Sequence, residues 1–99
     1  MIVSSVRARV VNDTPAALEW AKDIASFVHK RTGIEVQALL RVGATQDVVW
    51  LQRFPDLATY EKSQEAVQGD PTYWTRIKEA QSKGFFDTPT VEAGIWRQL

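Results

Sequence analysis

Ninety-nine residues, 44% of them hydrophobic and 24% charged, are enough for one globular domain and fall outside the disordered and fibrous classes. Twelve basic and twelve acidic side chains cancel, so no global field gathers phosphate backbones or an anionic membrane, and nucleic acid is not an expected partner. The lack of cysteine excludes disulfides, thiolate metal sites and cysteine nucleophiles. The first residues reach a charge at Arg7 and lack the basic segment and apolar run of a signal peptide. No stretch approaches the length of a membrane span. One domain, 1–99, in the cytoplasm is the expectation.

Residues 2–11 alternate, with Ile2, Ser4, Val6, Ala8 and Val10 against Val3, Ser5, Arg7, Arg9 and Val11, which predicts a strand. Asn12-Asp13-Thr14-Pro15 reads as a helix start, with Thr14 as the cap and Pro15 at the first helical position, where its missing donor costs nothing. The helix should stop at Gly33 and bury Ala17, Trp20, Ala21, Ile24, Phe27 and Val28. Residues 34–42 and 48–54 alternate again around a turn at 43–47, predicting a hairpin. Asp56 can cap a helix from Leu57 that Gly69 interrupts. Asp70 with Pro71 then restarts it toward Gly84. Residues 85–90 read as a connection and 91–99 as a last strand.

The order strand, helix, strand, strand, helix, strand is the ferredoxin-like βαββαβ arrangement, an α+β fold with a four-stranded antiparallel sheet and helices on one face. The opposite face should hold Val3, Val11, Leu39, Val49, Leu51 and Trp96, interspersed with Arg7, Arg9, Glu35, Gln37, Arg41 and Glu92. That mixture fits a face covered by a second copy of the chain, or an open face with scattered apolar residues.

The segment VVWLQRFPDLATYEKSQEA, residues 48–66, and the terminal VEAGIWRQL resemble the matching segments of the antibiotic-biosynthesis monooxygenase-like and NIPSNAP-like members of the dimeric α/β-barrel superfamily. The resemblance implies a homodimer built sheet to sheet into a barrel, with a pocket in each subunit between sheet and helices. Some members use that pocket for cofactor-free oxygenation of aromatic substrates, others for haem degradation or isomerisation. The haem-degrading branch carries a histidine on its second helix, and this chain has none there. Its single histidine, His29, lies on the first helix about 140° from Ile24, on the polar side. Haem is therefore disfavoured, and no cofactor is expected.

Other chemistries fail on residue inventory. One histidine on a solvent face leaves no nucleophilic triad, no cysteine or histidine cluster gathers a metal, and the five glycines never cluster into a phosphate loop. RNA recognition on this strand order needs aromatics on the first strand, which has none. What remains is a pocket. Leu57, Tyr60, Gln64 and Val67 form the expected inward stripe of one helical piece, and Tyr73, Trp74, Ile77, Ala80 and Gln81 that of the next. Gln64 and Gln81, on faces that should be apolar, either edge the stripe or border a cavity. Trp50, Tyr60, Tyr73 and Trp74 are either packing or the wall of a site for a small planar ligand. Asn12, Arg53 and Arg97, near strand ends, are the polar candidates. Two functions stay open: a cofactor-independent monooxygenase acting on an aromatic or quinol-type substrate, and a non-catalytic NIPSNAP-like binding domain.

Overall fold

Local chemistry sets most element ends. The structure, a computed structural model, describes residues 1–99 and contains β1 (Ile2–Arg9), α1 (Thr14–Thr32), β2 (Val36–Leu40), β3 (Asp47–Phe54), α2 (Leu57–Gln68), α3 (Pro71–Lys83), a 3-10 turn at Thr88–Thr90 and β4 (Glu92–Arg97). Gly33 and Gly84 end α1 and α3 in the left-handed conformation, at φ 75° and 63°, which a residue without Cβ adopts at no steric cost. Asp56 caps α2, taking the Thr59 N–H and hydroxyl on one oxygen at 2.8 and 2.7 Å.

The start of α1 departs from expectation. Asp13, at φ 44°, occupies the cap position, and no side chain caps the helix there. The Thr14 hydroxyl instead reaches Gln46 Oε1 at 2.9 Å, in the β2–β3 loop. A partner far along the chain has taken the group that local pattern assigned to the cap.

The break between α2 and α3 is built from several small parts. Gly69 keeps a right-handed φ of −81°, so the turn comes from Asp70, extended at φ −96°, and from Pro71, which cannot continue a helix. The Asp70 carboxylate accepts from the Thr72 N–H at 2.9 Å and pairs with Arg31 at 3.2 Å, tying the break to the end of α1. Trp74 then donates its indole N–H to the Gln68 carbonyl at 2.8 Å, satisfying an end-of-helix acceptor across the break. Trp74→Phe, which removes that donor, is expected to cost about 1 kcal/mol, lowering Tm by about 5 °C. A thermal melt identical to the parent's would show that the bond adds nothing.

The strands order as β2-β3-β1-β4, all antiparallel, in one sheet with the helices on one side. Register puts Ile2, Ser4, Val6 and Ala8 opposite Phe54, Gln52, Trp50 and Val48, so these residues share the helix-facing side. Beneath α1 and α3 they meet a core of Val10, Ala17, Ala21, Val48, Ala80 and Phe85. Residues 85 and 86 belong to this core: Phe85 is fully buried and Phe86 bridges Val10 beyond the end of β1. Val42, expected inside β2, is fully exposed in the loop.

The other sheet face has no helix over it. Val3, Ser5, Arg7 and Arg9 stand opposite Arg53, Leu51, Val49 and Asp47, with Leu39 and Trp96 on the flanking strands. Trp96 lies flat over Gly94, where an added Cβ would meet its indole at 2.9 Å, and donates to Ser5 Oγ at 2.8 Å. Trp96 and Leu39 remain half-exposed or more. Arg7 pairs with Glu92 at 3.1 Å, and Arg9 and Arg41 approach the Asp47 carboxylate at 3.3 and 3.7 Å.

Two carboxyls are held below their ordinary range. Burial works against ionisation of Asp47, but hydrogen bonds from Arg9 and Thr45 and the charges of Arg9 and Arg7 outweigh it and hold the group below its ordinary value of 3.8. Asp56 is lowered from the same value by the Thr59 backbone N–H and then by the Thr59 hydroxyl. Because both folded values are depressed, their stabilisation is complete above the unfolded value and disappears as pH falls through the folded ones. Tm should be flat from neutral pH to about 5 and decline below about 4, with Asp56→Asn showing a shallower acid limb. A Tm at about pH 3 equal to that at neutral pH would contradict the assignment.

Candidate functional site

Between α1 and the sheet the side chains leave space instead of closing the core. The result is a cavity of about 180 Å³, open to solvent. Its floor is Ser4 and Val6 of β1, Val36 of β2, and Trp50 and Gln52 of β3. Trp20, Ile24, Ala25 and Val28 of α1 form one wall. Gln64 and Val67 of α2 with Tyr73 and Ile77 of α3 form the other. Tyr73 reaches this wall from the first turn of α3, and its ring packs edge-on against Trp74 at 5.1 Å between centroids.

The aromatic part of the wall is fixed in place. Trp20, Trp50 and Phe86 pack edge to face, with centroids 5.5 to 6.2 Å apart. Trp50 donates its indole N–H to the Ala21 carbonyl and Trp20 to the Arg76 carbonyl, both at 3.0 Å. Both indole donors are thus committed to the helices, and what the rings offer a ligand is apolar surface.

The polar inventory is short. Ser4 and Gln52 are cross-strand partners on the floor, and Gln64 and Tyr73 face them from the helices. The Gln52 amide nitrogen is buried with no hydrogen-bond partner in the chain. Burial pushes the Tyr73 hydroxyl above its ordinary 10.0, so at neutral pH it is a phenol and a donor. No Asp, Glu, His, Lys or Arg lines the cavity. No group of three or more histidine, cysteine or carboxylate side chains gathers anywhere in the fold in a way that could hold a metal ion.

Of the nine residues singled out from sequence, the structure brings three to the cavity: Trp50, Gln64 and Tyr73. The other six lie elsewhere. Tyr60 is half-buried with its ring on Phe54, at 5.4 Å. Trp74 is 45% exposed and serves the helix break, and Gln81 is exposed on the outer side of α3. The inward stripe of α3 is Tyr73, Arg76, Ile77 and Ala80, one position round from the expected one. Asn12 holds the Lys83 carbonyl at the end of α3, at 2.8 Å. Arg53 is on the helix-free face, donating to Gln37, and Arg97 is exposed at the sheet edge. Ser4 and Gln52 complete the polar lining, and the alternation that turns Trp50 inward also turns Gln52 inward.

No protein-family model matches the chain, and no curated protein matches it in sequence. Solved structures do match. A NIPSNAP domain protein from Burkholderia xenovorans superposes with a TM-score of 0.79 at 14% identity, covering 100% of this chain and 95% of the other. SnoaB, a cofactor-independent oxygenase from Streptomyces nogalater, gives 0.74 at 12% identity over 99% and 92%. An antibiotic-biosynthesis monooxygenase-like protein from Nitrosomonas europaea gives 0.74 at 18% over 100% and 99%. No helix of the chain is long and apolar enough to cross a membrane. At these identities the likeness is one of architecture, and the chain has the ferredoxin-like fold shared by the NIPSNAP and antibiotic-biosynthesis monooxygenase-like proteins.

Proposed function

We propose that the chain is a homodimer that takes a small, largely apolar aromatic molecule into the cavity between sheet and helices, and that a quinol-type substrate is oxygenated there without a cofactor. The observation that carries the reading is the cavity itself: aromatic and aliphatic walls with a few neutral hydrogen-bonding groups are the usual make-up of a small-molecule site. A hydroquinone and dioxygen contain all the electrons needed to give a hydroxyquinone and water. One oxygen atom enters the ring, and the other leaves with two substrate hydrogens. The protein's part is to hold the ring away from water and to place the Tyr73, Gln52 and Gln64 donors where oxyanion charge develops. The fold likeness to SnoaB supports this reading.

The dimer rests on the helix-free sheet face. It carries exposed Trp96 and Leu39 between cations and Glu92, so each copy brings apolar surface and both signs of charge to a two-fold contact.

A second reading, a binding domain without turnover, is favoured by one observation: no side chain lining the cavity can take a proton at neutral pH. Oxygen uptake measured with methylhydroquinone, free of added metal and flavin, separates the two. Consumption proportional to protein above the autoxidation rate, with labelled oxygen from dioxygen entering the ring and no hydrogen peroxide formed, supports oxygenation. Binding without consumption leaves the second reading.

A further inference from the structure

Resting on the reading of this cavity as a ligand site, we propose its ligand class: an uncharged molecule of one aromatic ring bearing a carbonyl or similar acceptor oxygen, with Gln52 as the residue that selects for the oxygen.

Size comes first. An engineered cavity of about 150 Å³ holds benzene, and this one, at about 180 Å³, has room for that ring and a small substituent. A fused three-ring system would have to leave part of itself in solvent.

Charge comes next. No cation lines the cavity to pair with a carboxylate and no anion to pair with an amine, so a charged ligand would lose its hydration uncompensated. Hydrogen bonding then distinguishes among neutral rings. The Trp20 and Trp50 donors are already used on helix carbonyls. The Gln52 amide nitrogen, buried on the floor beside Ser4, has no partner in the chain. An orphaned buried donor is costly by itself and gains most from an acceptor brought by a ligand. Gln52 therefore has the properties of a group kept for recognition at some cost to stability.

The test is calorimetric titration of the full chain and of Gln52→Leu with acetophenone, toluene, benzoate and anthrone. For the parent, acetophenone should bind about tenfold more tightly than toluene, the ratio one hydrogen bond supplies, with benzoate and anthrone weaker than either. Gln52→Leu should bring the ratio near one while keeping toluene affinity, and should raise Tm by about 4 °C as the unpaired amide is removed. Gln52→Met is the second variant should leucine pack badly.

If none of the four compounds binds the folded parent, the ligand-site reading itself falls. If toluene and acetophenone bind but their ratio survives both substitutions, or anthrone or benzoate binds best, the cavity stands as a site and this assignment of its ligand is overturned.

Discussion

Trp50→Ala is expected to lower stability by about 3 kcal/mol, which for a chain of this size is roughly 15 °C in Tm. The residue sits on central strand β3, its ring contacts Trp20 and Phe86 edge to face, and its indole N–H reaches the Ala21 carbonyl. Truncation therefore removes buried area, two aromatic contacts and the tie between β3 and α1 together. It also opens the cavity floor, so affinity for a ring-sized ligand should fall more than tenfold. Trp50→Phe separates the contributions, keeping a ring but losing the donor, and should cost about 1 kcal/mol. Equal melting temperatures for the alanine variant and the parent would mean that the wall is not structural.

Leu51→Glu should have the largest effect on assembly. Leu51 lies on the helix-free face between Ser5 and Gln37, on a central strand. In a two-fold sheet-to-sheet contact each copy would bury a carboxylate where an apolar side chain packs, at a desolvation cost of several kcal/mol apiece. Sedimentation at micromolar concentration should find the parent at twice the chain mass of 11.2 kDa and the variant at that mass, with little change in helix content. A parent that sediments as a single chain would remove the dimer from the account.

What the sequence made legible divides by the range of the interactions involved. Gly33, Gly84, Asp56 and the Asp70-Pro71 pair act within a few residues of themselves, and each ends or starts a helix where its chemistry says it should. Strand faces were legible for a similar reason, since alternation is a local property. Val3, Val49, Leu51 and Trp96 occupy the helix-free face as expected. Long-range partners were not legible. Gln46 draws Thr14 from its capping role, and Val10 draws Phe86 from what read as a connection into the core edge.

The candidate site was half legible. Tyr73 and Trp74 are adjacent and aromatic, and periodicity alone assigned both inward. Which one faces the sheet depends on how α3 is rotated. The Asp70 turn and the indole bond to Gln68 fix that rotation, placing Tyr73 on the cavity and Trp74 over the break. Gln81 follows Trp74 round by seven residues and shares its exposed side. Gln52 needed only the alternation already applied to Trp50, but a glutamine among strand residues carries no compositional mark of its burial.

The four tryptophans offer the most direct test of the central claim, that the cavity between sheet and helices accepts a small aromatic ligand. Trp20 and Trp50 line that cavity, whereas Trp74 covers the helix break and Trp96 the opposite sheet face. Titrating acetophenone into nitrogen-15-labelled protein should shift the indole signals of Trp20 and Trp50 saturably and leave those of Trp74 and Trp96 in place. Shifts confined to Trp96 or Trp74, or none at millimolar ligand, would contradict the account.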